Sequence, residues 1–361
     1  MVLWRKQVAL FKKAVLEAKR KCFDDFISNI NYKEDTPFTL EELRLAIEFQ
    51  RVKKSPGADN IHVEFLKHMS DTVKNTLLCT FNRIWETGLV PAQWKRAVVI
   101  PILKKNKDPK QLSSYRPISL TSILGKTTEK LILNRLNWYL EDRNLIVNEQ
   151  AGFRKNRSTT DQVTYLIQIV KDALDNRNIL TAVYVDFKSA YDTLWREKLH
   201  QKLLNAGVCG NMFKWIRSFT DQRICKIKFG NGLSKCLQTG LTQGAVESYS
   251  LFNLYINDLV SALETVKDAD CLLFADDLVI WTQAPKRNAK SLIKNKINKA
   301  IDILSDWCIK NNLTVNLEKT ATQTFSLAHQ TLLPDLKYRD AALIYSSKFN
   351  YLGVTFDNKL Y

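Results

Sequence analysis

The sequence predicts an α+β fold, and three observations predict it. Short β-type runs alternate with longer stretches of helical period, several β-type runs follow one another closely, and the helical stretches keep their apolar residues to one face. A sheet with helices on one side satisfies all three. The chain has 361 residues, 45% of them hydrophobic, enough to bury a sizeable core in two subdomains.

Taken in order, residues 1–35 read as a basic helical leader, the remnant of something upstream, with Leu10, Phe11, Val15 and Leu16 among many Lys and Arg. Thr39-Leu40-Glu41-Glu42 is a capping box that opens a helix reaching about Val52. Ser55-Pro56-Gly57-Ala58-Asp59-Asn60 breaks the chain, and Val63 to Trp85 reads as one helix. Ala97–Leu103 is a strand that runs into Lys104, Lys105 and Lys107. From Lys95 to Arg116 there are seven basic side chains and one acid, Asp108. Such a run is either a solvated face or a phosphate contact.

Thr121–Tyr139 is helical. Gly152–Arg157 is a second basic turn, and Ser158-Thr159-Thr160-Asp161 caps a helix with Val163, Leu166, Ile167, Val170 and Leu174 on its core face. A strand over Thr181–Phe187 and helices over Asp192–Leu204 and Ser248–Leu263 follow. Cys271–Phe274 and Leu278–Trp281 form a hairpin, and a long helix covers Lys290–Lys310. Short strands near Thr314–Asn316 and Tyr351–Phe356 complete the series.

The formal charge is +17, from 54 Lys and Arg against 37 Asp and Glu, and a surplus of that size attracts a polyanion. Nucleic acid is the commonest one; no lipidation motif or basic amphipathic anchor favours a membrane. Seven scattered cysteines with no Cys-x-x-Cys pair argue against a disulfide framework and a cysteine zinc site. The apolar runs are too short to cross a bilayer, and the N-terminus lacks a signal-peptide core. An intracellular protein, cytoplasmic or nuclear, is expected.

Chemistry concentrates on three acids. Asp276 and Asp277 lie between the two apolar runs of the hairpin, where they are either a solvated turn or a site for a hard cation such as magnesium. Asp186 ends the apolar run Ala182–Val185, where a carboxylate is welcome only at an edge or beside a ligand. Three converging carboxylates would hold two divalent ions about 3.5–4 Å apart.

The ordered blocks PGADNIHVEFLK, VVIPILKKNKDPKQLSSYRPISL, AGFRKNRSTTDQ, VDFKSAYDTL, TGLTQGAVESYSLFNLYINDL, FADDLVIW, NNLTVNLEKT and FNYLGVTFD resemble a reverse transcriptase. The likeness is greatest to the non-LTR (LINE-type, jockey-like) retrotransposons and runs from about Pro56 to Phe356. It implies a right-hand polymerase: fingers over 36–180 and a ferredoxin-like palm with an antiparallel sheet over 181–361, with about 205–260 shared with the fingers. The reverse transcriptase core falls at about 97–356, and no thumb is expected.

By the same likeness Asp186, Asp276 and Asp277 are the catalytic carboxylates, joined by the Phe187 carbonyl at two magnesium ions, with manganese as an alternative. Lys104, Arg116, Tyr191, Gln243 and Gly244 would contact the incoming nucleotide, Tyr191 as a gate against a 2′-hydroxyl. Lys319 would donate a proton to the leaving pyrophosphate, with a plain surface lysine as the alternative. Tyr351, Leu352 and Gly353 would be the primer grip. The implied partners are an RNA template, a DNA primer or target, deoxynucleoside triphosphates and the rest of a retrotransposon polyprotein.

The family pattern Pro-Gln-Gly-x-x-x-Ser-Pro is altered here, with Thr242, Ala245, Glu247, Tyr249 and Ser250 where Pro, Ser, Leu, Pro and Leu are typical. The competing expectation is therefore a truncated, catalytically impaired relic that binds nucleic acid without extending it.

Overall fold

The computed structural model describes residues 35–105, 107–111, 114–229, 232–233, 240–241, 248–328 and 333–360. The leader, Gln243 and Gly244 lie outside them. Among the described residues the order is α1 (Leu40–Glu48), α2 (Val63–His68), α3 (Asp71–Thr87), β1 (Arg96–Leu103), β2 (Tyr115–Leu120), α4 (Ile123–Asp142), α5 (Thr159–Asp175) and β3 (Asn178–Val185). Next come α6 (Ala190–Thr193), α7 (Arg196–Asn205), α8 (Gly210–Thr220), β4 (Ile224–Phe229), β5 (Gly232–Leu233), α9 (Ser248–Leu263), β6 (Asp270–Phe274) and β7 (Asp277–Pro285). α10 (Ala289–Lys310), β8 (Ala321–Phe325), β9 (Lys337–Tyr338), β10 (Ala341–Ala342), β11 (Ile344–Tyr345), β12 (Lys348–Tyr351) and β13 (Val354–Asp357) follow. The fold is mixed α+β.

The chain divides into two compact units, Met1–Leu145 with Ala206–Cys236, and Ile146–Asn205 with Leu237–Tyr361. In the first, β1 is the hub of a mixed sheet ordered β2-β1-β4-β5, antiparallel to β2 and parallel to β4. The expected capping box forms: Thr39 Oγ1 accepts from the Glu42 amide, and Glu42 accepts from the Thr39 amide. Glu42 also meets Arg135 of α4 at 2.8 Å, with both side chains buried. Arg135 donates further to the carbonyls of Thr36 and Pro37 and lies over the ring of Phe38. The single helix expected over Val63–Trp85 is two, because Met69 is extended and the Ser70 hydroxyl, accepting from the Val73 amide, caps a fresh start at Asp71.

The second unit is built on a five-stranded sheet ordered β11-β8-β3-β7-β6. β3, β6, β7 and β8 pair antiparallel, and β11 adds a parallel edge. Val163, Leu166 and Val170 of α5 pack with Leu180, Ala182 and Tyr184 on one face of β3. Ile179, Thr181, Val183 and Val185 on the other face are buried too, so this sheet is covered on both sides rather than one. That is why β3 reads as a continuous apolar run. Val315 makes only an isolated bridge to Phe187 instead of the expected strand. Tyr351–Phe356 is not one strand either; it spans the turn of a β12–β13 hairpin.

Candidate active site

The three acids come together because of strand register. β3 and β7 are antiparallel, with Val185 opposite Leu278. One step further along that register sets Asp186 across from Asp277. On the other side of β7, Phe274 pairs with Asp277 and leaves a two-residue turn, Ala275-Asp276. Ala275 takes the left-handed conformation, φ +58°, that closes so short a turn.

The segment after α10 fastens Asp186. Its carbonyl accepts from the Asn316 amide at 2.7 Å, and its amide donates to Thr320 Oγ1 at 3.3 Å. Its carboxylate accepts from Asn316 Nδ2 at 2.8 Å and lies 3.4 Å from Lys319 Nζ. Lys319, mostly exposed, is the cation beside the acids. Asn316 and Thr320 were not singled out from sequence; they stand inside the NNLTVNLEKT block, where nothing marks them apart from their neighbours.

Burial and then crowding govern the electrostatics. Burial, and then the charge of Asp186, raise the Asp276 carboxyl above its ordinary value, with Lys319 opposing. Asp277 keeps solvent contact, yet packing on its inner side and the charges of Asp276 and Asp186 push it up to about 6. Like charges held together in this way call for a cation. Among the described residues no group of three or more His, Cys, Asp or Glu side chains is arranged to hold a metal ion by itself.

Tyr191 stands beside this cluster on α6. Its ring lies 4.6 Å from Phe252 and 5.7 Å, edge-on, from Tyr249. Burial, with Asp276 and Asp277 adding to it, raises its hydroxyl pKa. Tyr249, at the position where proline is typical, stacks on Phe153 at 3.9 Å. Gly240 approaches so closely that a Cβ there would come within 2.2 Å of the Tyr191 carbonyl.

Phe187 buries its ring, which leaves only its main chain for a site. Tyr351 is buried against Tyr184 and Phe356, so its ring belongs to the core. Leu352 and Gly353 form the hairpin turn, both at positive φ. In the first unit, Ile102 faces Arg116 across β1 and β2, and the two-residue period puts Lys104 on that same face. Ile102 and Ile118 share it and are exposed.

Residues 102–356 match the family described as reverse transcriptase (RNA-dependent DNA polymerase). The chain belongs to the reverse transcriptase family. It is 30% identical over 90% of its length to the probable RNA-directed DNA polymerase from transposon BS of Drosophila melanogaster, covering 36% of that protein. It is 28% identical over 89% of its length to the RNA-directed DNA polymerase from mobile element jockey of the same species, covering 35% of it. The chain thus spans about a third of the length of these curated reverse transcriptases. Among solved structures, an apo telomerase from Candida tropicalis truncated from the C-terminal domain superposes with a TM-score of 0.51 at 16% identity, covering 80% of this chain and 59% of that one. That likeness fits a polymerase fold. No helix among the described residues is long and apolar enough to cross a membrane.

Proposed function

We propose that this reverse transcriptase chain carries the polymerising portion of an RNA-directed DNA polymerase of a LINE-type element. It would transfer a nucleotidyl group from a deoxynucleoside triphosphate to a primer 3′-hydroxyl along an RNA template. The observation that carries the reading is the meeting of Asp186, at the end of β3, with Asp276 in the β6–β7 turn and Asp277 at the start of β7. In this reading residues 36–180 supply fingers and 181–361 a palm, with about 205–260 contributing in part to the fingers.

Asp186, Asp276, Asp277 and the Phe187 carbonyl would hold magnesium. When bound, two divalent ions neutralise charge on the attacking and leaving oxygens. The protein's own groups position and discriminate. Asp186, fixed by Asn316 and Thr320, presents its carboxylate at the end of a buried strand. Tyr191, braced by Phe252, would fill the space that a 2′-hydroxyl needs. Lys319 would give its proton to the departing pyrophosphate. Lys104 and Arg116, with Gln243 and Gly244, would contact the incoming nucleotide. The turn at Leu352-Gly353, backed by the buried Tyr351, would support the primer.

Primer extension on an RNA template with magnesium and deoxynucleotides tests the reading. Extension that disappears in Asp276→Asn is expected. Template–primer binding without extension by the wild-type chain, at every protein concentration, overturns it and leaves a nucleic-acid-binding relic.

A further inference from the structure

We infer that Gln150 is the positioning residue of the carboxylate hairpin, its side-chain amide holding the Ala275-Asp276 turn so that Asp276 and Asp277 face Asp186. The inference rests on the reading of those three acids as the metal site.

Glu149 to Gly152 run beside β6 in parallel. The Leu273 amide donates to the Glu149 carbonyl and the Ala151 amide to the Leu273 carbonyl, each at 2.9 Å. From this isolated bridge the Gln150 side chain, wholly buried, reaches the turn. Its Oε1 accepts from the Ala275 amide and the Gly152 amide, both at 2.8 Å, and its Nε2 donates to the Ala275 carbonyl at 3.1 Å. One planar amide therefore satisfies both main-chain groups of the residue that precedes Asp276. That residue, Ala275, is held at a φ that L-residues avoid, so the turn needs an external hold.

The approach is made possible by Gly152, where a Cβ would lie 2.2 Å from the Ala275 amide nitrogen. Asn253 Nδ2 of α9 donates to the Gly152 carbonyl at 2.6 Å and anchors the clamp from behind. The chemistry selects glutamine. A carboxylate has no donor for the Ala275 carbonyl and would add a fourth negative charge near the three acids; an apolar side chain offers neither donor nor acceptor. Gln162 provides an internal contrast. It is a second buried amide on the same strand pairing, donating to the carbonyls of Glu149 and Leu273, without a bond to the turn.

The test compares Gln150→Leu, Gln150→Glu and Gln162→Leu with the wild-type chain. Mn2+ uptake is followed by the electron paramagnetic resonance of the free ion, thermal unfolding by circular dichroism, and primer extension by magnesium titration. Both Gln150 variants should weaken Mn2+ binding by about 10–100-fold while folded, the usual effect of removing a partner that orients a metal ligand. They should also raise the magnesium needed for half-maximal extension. Gln162→Leu should lower the unfolding temperature and leave Mn2+ affinity unchanged. If Gln150→Leu does not fold, Gln150→Glu, which keeps the shape and both accepting bonds, carries the comparison. Mn2+ affinity within about 2-fold of wild type in a folded Gln150 variant, or an equal loss in Gln162→Leu, overturns the inference. Wild-type protein that takes up no Mn2+ sinks the metal-site reading and Gln150 with it. Uptake abolished by Asp276→Asn but indifferent to Gln150 sinks Gln150 alone.

Discussion

Glu42 and Asp276 are both carboxylates drawn away from water, and the chain treats them in opposite ways. Glu42 is matched within its own unit by the Arg135 guanidinium and the Thr39 amide, so its charge is fully answered. Asp276 is set among like charges, with the exposed Lys319 opposing them. A charge answered inside the fold fastens helices; a charge left in surplus is a place for something to bind. The contrast separates scaffold from site on physical grounds.

The largest expected effect comes from breaking the surplus. Asp276→Asn should cut primer extension by on the order of 10³-fold, since metal-held charge stabilisation contributes several kcal/mol. Its unfolding temperature without metal should hold or rise, because repulsion is relieved. A fall of many degrees would show that Asp276 is scaffold after all.

Arg135→Met should act in the reverse sense. It leaves Glu42 charged, buried and unpaired, which costs about 3–5 kcal/mol, read by urea denaturation. Mn2+ affinity of the folded protein should not change. Replacing both partners with apolar residues should recover most of the loss, less about 1 kcal/mol for the missing cap.

A smaller effect carries a sign. Asp277 titrates at about 6 in the fold, above its ordinary 3.8. Between those values the folded state holds a proton that the unfolded state has released. Its contribution to stability is therefore present at low pH and is lost as pH rises through 6. The metal-free stability difference between wild type and Asp277→Asn should shift against the wild type across that window, and magnesium should reverse the trend. A difference that is flat with pH would refute the burial and crowding of Asp277.

Lys319→Met should change stability by no more than about 1 kcal/mol, because an exposed ion pair is screened by solvent. A larger loss in urea denaturation would place Lys319 with Arg135 rather than with the surface.

Much of the site was legible in the chain. FADDLVIW announces a hairpin that carries two adjacent acids, and the run to Val185 announces a strand that delivers Asp186 to its end; both follow from period and residue type. The capping boxes at Thr39 and Ser158 set helix starts as read. Other features were not legible. Met69-Ser70 breaks a stretch whose apolar period continues, because a local cap outcompetes propensity there. Tyr351 looked like a contact residue, yet its ring fills the core beneath β3.

By itself, then, the sequence determined the α+β class, the excess of basic charge, the strand-borne acids and the family. These are properties of local pattern and of residue order. Only the tertiary structure decided that Asn316 and Thr320 fasten Asp186, that Gln150 clamps the turn before Asp276, and that Glu42 is answered by Arg135, 93 positions away. Register between strands distant in sequence, and hydrogen bonds across more than a hundred residues, leave no trace in local periodicity; they exist only once the chain has closed on itself.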